Sequence, residues 1–136
     1  MQDVIIIGAG PIGLACGVEA QKKGFKYIIF DKGTLVNSLY HYPLNMTFFS
    51  TSEKLEINNI PFISNNPKPN RDEALEYYRR VATSNTLQIN LYKTVTAINK
   101  ADSLFKIETN RNNYLAKKVI IATGFYDIPK LLNVPG

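Results

Sequence analysis

Asp3-Val-Ile-Ile-Ile-Gly-Ala-Gly-Pro-Ile-Gly13, with Leu14-Ala-Cys-Gly17 behind it and Tyr27-Ile-Ile-Phe-Asp31 after Gly24, is the stretch that decides the fold. Residues 4–7 form a continuous β-branched run, the mark of a strand covered on both faces in a parallel sheet flanked by helices. Residues 11–23 carry Ile12, Leu14, Ala15, Val18 and Ala20 ahead of Gly24, with Lys22 and Lys23 in the last turn. That pattern predicts a short helix closed by glycine, its cations placed at the negative end of the dipole. Residues 27–31 repeat the buried-strand pattern, so residues 1–31 read as a β-α-β unit with a right-handed crossover.

Each glycine of Gly8-Ala-Gly-Pro-Ile-Gly13 answers a physical demand. Gly8 permits a tight turn out of the strand, Gly10 lets a pyrophosphate reach the backbone, and Gly13 lets the helix pack closely on the strand. Free N–H groups and the positive end of the helix dipole then face the phosphates. Asp31 ends the next strand, eighteen positions past Gly13. A carboxylate there accepts hydrogen bonds from ribose hydroxyls and disfavours a 2′-phosphate. Strand, glycine turn, helix and acid in this order are far more specific than a bare GxGxxG. Gly17 is expected on the helix face against the sheet, and Gly24 at the C-cap.

Periodicity disappears over residues 32–69, which hold Pro43, Pro61, Pro67 and Pro69. The aromatic residues Tyr40, Tyr42, Phe48, Phe49 and Phe62 favour an ordered, functional loop region over disorder, with short helical turns such as 52–55. Asn70 followed by Asp72 and Glu73 has the spacing of a capping box and predicts a helix over 70–84 that buries Ala74, Leu75, Tyr78, Val81 and Ala82. Of the pair Tyr77-Tyr78, one is expected in the core and one on the surface. A strand over 87–91 follows, then alternating segments at 94–99, 104–109 and 113–117 that read as a three-stranded antiparallel meander. Residues 119–122 read as a last buried strand, and the Pro-punctuated end of 118–136 as a linker. The fold class is therefore α/β, a Rossmann-like parallel sheet with an antiparallel meander.

The chain has 136 residues, 45% hydrophobic and 20% charged, which is close to one globular domain and too short for two nucleotide-binding domains. Its longest apolar runs are strand-sized, well short of the ~20 residues a membrane-spanning helix needs. Residues 1–3 lead straight into a strand, without the features of a signal peptide. The single cysteine, Cys16, excludes an internal disulfide, and a reducing, cytoplasmic setting is expected. Cys16 lies mid-helix between Ala15 and Gly17 and is expected to be a packed, inert thiol. The formal charge of +5 comes from lysines and arginines scattered along the chain, which argues for a solvated surface and against nucleic-acid binding. His41, a lone histidine in an aromatic loop, reads as structural or ligand-contacting rather than as an acid/base catalyst.

The glycine motif and the strand ending in Asp31 resemble the N-terminal FAD fingerprint of flavoproteins with two dinucleotide domains, such as thioredoxin reductases and flavin-containing monooxygenases. Val119-Ile-Ile-Ala-Thr-Gly124 resembles the second signature of that group. The stretch Asn37-Ser-Leu-Tyr-His-Tyr-Pro-Leu-Asn-Met-Thr-Phe-Phe-Ser-Thr-Ser-Glu-Lys-Leu-Glu-Ile57 is similar to the thioredoxin-reductase-like bacillithiol-disulfide reductase family, as are Tyr77-Tyr-Arg-Arg-Val81 and Gly124-Phe-Tyr-Asp-Ile-Pro129. The resemblance implies an FAD-binding, NADPH-consuming oxidoreductase acting on small-molecule or protein disulfides. It places Gly8, Gly10, Pro11, Ile12 and Gly13 at the pyrophosphate, and Asp31 and Lys32 beside the adenosine ribose. Ser38, His41, Met46 and Thr47 would line the flavin side, Val95 would meet the adenine through its backbone, and Thr123 and Gly124 would approach the FAD. It assigns no catalytic and no metal residue.

The resemblance also implies that residues 1–136 are the N-terminal part of an FAD-binding domain, without the NADPH domain and the C-terminal return of the chain. Such a part is expected to be inactive alone and to leave apolar sheet surface uncovered, which favours a homo-oligomer. Some members of the family carry a cysteine where this chain has Ile12, and the paired cysteines of thioredoxin reductases belong to a later domain. A non-catalytic FAD- or NAD-binding module, or a flavin-monooxygenase-like protein, is the alternative.

Overall fold

Strands β1 (Gln2–Ile7) and β2 (Tyr27–Phe30) pair in parallel across helix α1 (Pro11–Lys22), as the opening pattern requires. The computed structural model describes residues 1–126, 128 and 130–134. The remaining elements are α2 (Asn37–Tyr40), α3 (Ser52–Leu55), α4 (Arg71–Ser84), β3 (Ile89–Asn90), β4 (Val95–Ala101), β5 (Leu104–Thr109) and β6 (Asn113–Ile121). Among the described residues six strands join one sheet in the order β3-β2-β1-β6-β5-β4, parallel from β3 to β6 and antiparallel from β6 to β4. The α/β class with its Rossmann-like parallel portion and meander is thus observed.

Two boundaries differ from the sequence reading. The segments expected at 113–117 and 119–122 are a single strand, β6, and Lys117-Lys118 do not interrupt it. The antiparallel register of β6 with β5 ends at Phe105↔Ala116, while its parallel register with β1 runs from Gln2↔Ala116 to Ile7↔Ile121. Lys117 sits where β6 has left β5, its ammonium 2.8 Å from Asp3 in solvent, so a lysine there costs the strand nothing. Nor is the last strand buried throughout: Val119 and Ile120 are half-buried and Ile121 is exposed. The strand expected at 87–91 shrinks to Ile89 and Asn90. Tyr92 adopts φ 52° and donates its N–H to Gly33, which pulls the chain out of the sheet. Asp127, Pro129, Pro135 and Gly136, part of the expected linker, lie outside the described residues.

Helices α1 and α4 cover one face of the parallel sheet, packing Leu14, Val18, Ala74, Tyr78 and Val81 on Val4, Ile6 and Ile29. The other face joins Ile5, Ile7 and Phe30 to Ile107 and Ala116 of the meander. Gly17 lies against Ile29, where a Cβ would crowd the isoleucine methyl. Helix α4 begins with the anticipated capping box: Asn70 accepts from the Glu73 amide at 2.9 Å, and Glu73 accepts from the Asn70 amide at 2.9 Å. Such a cap stabilises the helix by about 1 kcal/mol.

Contrary to the one-in, one-out expectation, Tyr77 and Tyr78 are both buried. The loop after α3 folds over the side of α4 that a periodic pattern leaves to solvent. Phe62 stacks on Tyr77 at 4.3 Å, the Tyr77 hydroxyl donates to the Ile60 carbonyl at 2.7 Å, and it accepts from the Ile57 amide at 2.9 Å. Tyr78 donates to the Leu55 carbonyl at 3.2 Å, and burial pushes its hydroxyl pKa up to about 12.

Candidate functional site

The turn between β1 and α1 is built by contacts that only glycine permits. Gly8 has φ 110°, and a Cβ on it would overlap the Ala122 carbonyl at the end of β6. A Cβ on Gly13 would overlap the Gly8 carbonyl, so the helix sits directly on the turn. Gly10 is the reverse case, since a Cβ there would meet nothing within 4 Å. Gly10 is also the N-cap of α1, with Pro11 at the first helical position; no side chain caps this terminus and no acid lies in the first turn. A twelve-residue helix therefore presents uncompensated N–H groups and its positive dipole end to open space.

That space is a cavity of about 490 Å³ at the carboxyl ends of β1, β2 and β6. Gly8, Gly10, Pro11 and Ile12 form its floor, and Ile12, which the resemblance places at the pyrophosphate, is 66% exposed. Asp31 and Lys32 stand at one end with Val95. The Asp31 carboxylate is fixed by two amides: Ala9 of the glycine turn donates to Oδ2 at 2.7 Å and Gly33 to Oδ1 at 2.9 Å. Each oxygen keeps acceptor capacity for a ligand hydroxyl. Thr123 and Gly124 line the cavity as well, just past β6.

Lys93 joins the Asp31 end of the wall, a residue the motifs do not single out. Its amide donates to the Asp31 carbonyl at 2.7 Å, and its ammonium donates to the Tyr114 hydroxyl at 2.6 Å while lying 5.7 Å from the centre of the Phe30 ring. The Lys93 hydrogen bond holds the Tyr114 hydroxyl below the usual tyrosine pKa.

Helix α2 brings Asn37, Ser38 and Leu39 to the cavity, which Val36, Tyr42, Phe48, Leu55 and Tyr78 also line. Val36 enters α2 in the left-handed region, φ 47° and ψ 47°, while 98% buried, and its amide donates to the Ala9 carbonyl at 3.1 Å. A β-branched residue in that conformation stores about 1–3 kcal/mol of strain and persists only when its surroundings hold it.

The structure therefore gathers Gly8, Gly10, Pro11, Ile12, Asp31, Lys32, Ser38, Val95, Thr123 and Gly124 around one cavity. Gly13 lies beneath its floor, and His41, Met46 and Thr47 are not on its wall. His41 is exposed and its Nδ1 donates to the Asn37 carbonyl at 2.8 Å, closing the end of α2. Met46 accepts the Arg71 amide through its carbonyl, and Thr47 forms a β-bridge with Asn70, so both are engaged with the start of α4. Cys16 borders a separate apolar groove between α1 and β6, lined also by Phe25, Val119 and Ile120. It is half-buried rather than fully packed, and burial pushes its pKa up, away from thiolate reactivity. Among the described residues no cluster of His, Cys, Asp or Glu is placed to hold a metal ion, and no helix is long and apolar enough to cross a membrane.

A family profile described as pyridine nucleotide-disulphide oxidoreductase matches residues 5–136, from β1 through the whole cavity. The chain belongs to this family. Among relatives of this pyridine nucleotide-disulphide oxidoreductase chain, bacilliredoxin reductase Bdr of Bacillus subtilis strain 168 is 43% identical over 136 residues, covering 99% of this chain and 42% of that protein. The solved structure of bacillithiol disulfide reductase Bdr (YpdA) from Staphylococcus aureus matches with a TM-score of 0.91 at 41% identity, over 100% of this chain and 43% of its own. The same enzyme from Bacillus cereus matches with a TM-score of 0.91 at 44% identity, over 99% of this chain and 43% of its own. The chain thus spans about 42% of the length of the curated relative it matches.

Proposed function

We propose that this chain is the N-terminal FAD-binding portion of an NADPH-dependent flavin oxidoreductase that reduces a disulfide. The observation that carries the proposal is the uncapped N-terminus of α1, opening beside Gly10 onto a cavity that the Asp31 carboxylate closes at one end. Those features fit a dinucleotide: the amides of the first turn of α1 hold the pyrophosphate, and the Asp31 oxygens left by Ala9 and Gly33 accept from the adenosine ribose. Val95 and Lys93 border the adenine end, and α2 with Thr123 and Gly124 borders the flavin end.

FAD held there would supply two-electron redox chemistry, the overall exchange being NADPH, one proton and a disulfide converted to NADP⁺ and two thiols. This chain's own part is to bind and orient. The fixed Asp31 carboxylate sets the ribose, the helix dipole offsets phosphate charge, and Ile12, Leu39, Phe48 and Tyr78 give the cavity an apolar lining. Cys16, in its separate groove, takes no part. The disulfide substrate follows from the family and from likeness to the Bdr enzymes. The NADPH site, the disulfide site and the remainder of the FAD domain belong to the rest of the protein, in the cytoplasm.

The test is to purify the full-length protein, titrate it with FAD and follow NADPH oxidation with a low-molecular-weight disulfide. Stoichiometric flavin with disulfide-dependent turnover is expected, together with no turnover by residues 1–136 alone. A full-length protein that takes up no FAD at micromolar concentrations refutes the proposal.

A further inference from the structure

Arg71, at the first position of α4, is buried although it carries a charge, with 10% of its side chain exposed. Its guanidinium reaches across to α2, where Nε donates to the Leu39 carbonyl at 3.2 Å and Nη2 to the Tyr40 carbonyl at 2.5 Å. It also lies 5.7 Å from the centre of the Tyr40 ring. Nη1 pairs with Asp72 at 3.0 Å, and that carboxylate is 80% exposed, so the pair balances charge at the surface while the other two bonds are made inside. The Arg71 backbone amide adds a bond to the Met46 carbonyl at 3.2 Å, and Phe48 donates to the Pro69 carbonyl at 2.9 Å.

These bonds fall on the element least able to hold itself. α2 is one turn of four residues, too short to be stable alone, and it is entered through the strained Val36. The Leu39 carbonyl accepts the Tyr42 amide at 3.2 Å, and a single planar fork adds a second bond to it and takes the next carbonyl, that of Tyr40. A lysine, with a compact ammonium on a flexible stem, matches that geometry poorly. Asn37, Ser38 and Leu39 ride on this turn into the cavity.

We propose that Arg71 is the positioning residue of the cofactor cavity: its guanidinium locks α2 against the strain at Val36 and thereby fixes the flavin-side wall without touching the ligand. The proposal rests on the FAD reading of the cavity. It assigns a role in binding to a residue that does not border the cavity, and it makes the arginine, rather than any cation, the requirement.

The experiment uses the full-length protein and compares wild type with Arg71→Met, Arg71→Lys and a control, Arg80→Met. Arg80 lies on the same helix and packs over the Tyr77 ring, away from α2. FAD affinity, the visible circular dichroism of bound flavin, thermal melting and hydrogen exchange of amides 38–42 are measured for each. Arg71→Met is expected to weaken FAD at least about tenfold, as for loss of one charge-assisted hydrogen bond, to alter the flavin dichroism and to speed exchange at 38–42. Arg71→Lys recovers part of the affinity, and Arg80→Met leaves affinity and dichroism unchanged whatever it does to melting. If Arg71→Met fails to fold, Arg71→Lys decides alone, by weaker FAD binding and faster exchange at 38–42. Unchanged affinity and exchange in the Arg71 variants overturn the proposal while leaving the FAD reading intact. A wild type that binds no FAD overturns that reading instead.

Discussion

Replacing Gly10 by alanine separates ligand binding from folding at the glycine turn. Gly10 has φ −78° and ψ −177°, open to any residue, and a Cβ there meets no protein atom within 4 Å. Alanine is a poorer N-cap than glycine by roughly 0.5–1 kcal/mol. It recovers about 0.4–1 kcal/mol by restricting the unfolded chain, so stability should change by less than about 1 kcal/mol. The methyl group, however, stands at the mouth of the α1 N-terminus, where a phosphate has to reach the backbone amides. Charge-assisted hydrogen bonds of this kind contribute about 1.5–3 kcal/mol each. Displacing the phosphate from two of them weakens binding by about 3–6 kcal/mol, roughly 10²- to 10⁴-fold. Gly13→Ala is the opposite case: its Cβ overlaps the Gly8 carbonyl, backbone that no rotamer change moves aside, so it should cost about 3 kcal/mol of stability. The assay is FAD titration by flavin fluorescence beside urea unfolding of the same full-length samples. Wild-type FAD affinity in Gly10→Ala, or a stability loss equal to that of Gly13→Ala, refutes the reasoning.

Tyr78 carries a pH dependence: its pKa of about 12 in the folded protein lies above the unfolded value near 10. Its contribution is therefore complete below pH 10 and is lost as the pH rises to about 12; Tyr78→Phe should flatten that decline and cost about 1 kcal/mol at neutral pH, read by urea unfolding across the pH series. Lys93→Met removes the donor that holds the Tyr114 hydroxyl below its ordinary pKa, so the Tyr114 titration should move upward; an unchanged titration by absorbance or NMR contradicts the observed hydrogen bond. Residues 1–136 produced alone should self-associate and bind a hydrophobic dye through the groove at Phe25, Val119 and Ile120, and Ile120→Lys should reduce both. A dye-free monomer in sedimentation shows that the groove is not sticky.

The glycine turn was legible because its demands are local: a strand, three glycines, a helix and an acid within residues 3–31 specify one another. The capping box of α4 was legible for the same reason. What sequence did not show depends on contacts between distant segments. Tyr77 reads as a surface residue until the chain around Ile57, Ile60 and Phe62 folds over it. Lys117-Lys118 read as a break because an isolated strand gives no sign that it changes partner midway. Resemblance brought Ser38, His41, Met46 and Thr47 to the flavin side, but which of them face the cavity depends on how α2 is held. Leu39 and Ser38 border the cavity, while His41 closes the end of α2 and Met46 and Thr47 serve the joint with α4. Lys93 carried no motif, and only the crossing of β3 into β4 beside Asp31 reveals it.

The dual pairing of β6 has a consequence for the order in which the protein assembles. Asp3 and Lys117, joined across this pairing, are 114 residues apart. During synthesis β1, β2 and α1 emerge early, yet one edge of β1 stays open until β6 has been made, and the same strand then closes the meander. The glycine turn is bounded by that late strand too, since Ala122 donates its amide to the Ile7 carbonyl at 2.8 Å. Such long-range closure slows folding, and it leaves a nascent chain with a complete fingerprint and no finished site. Ligand binding at this cavity has to wait until the ribosome has passed β6.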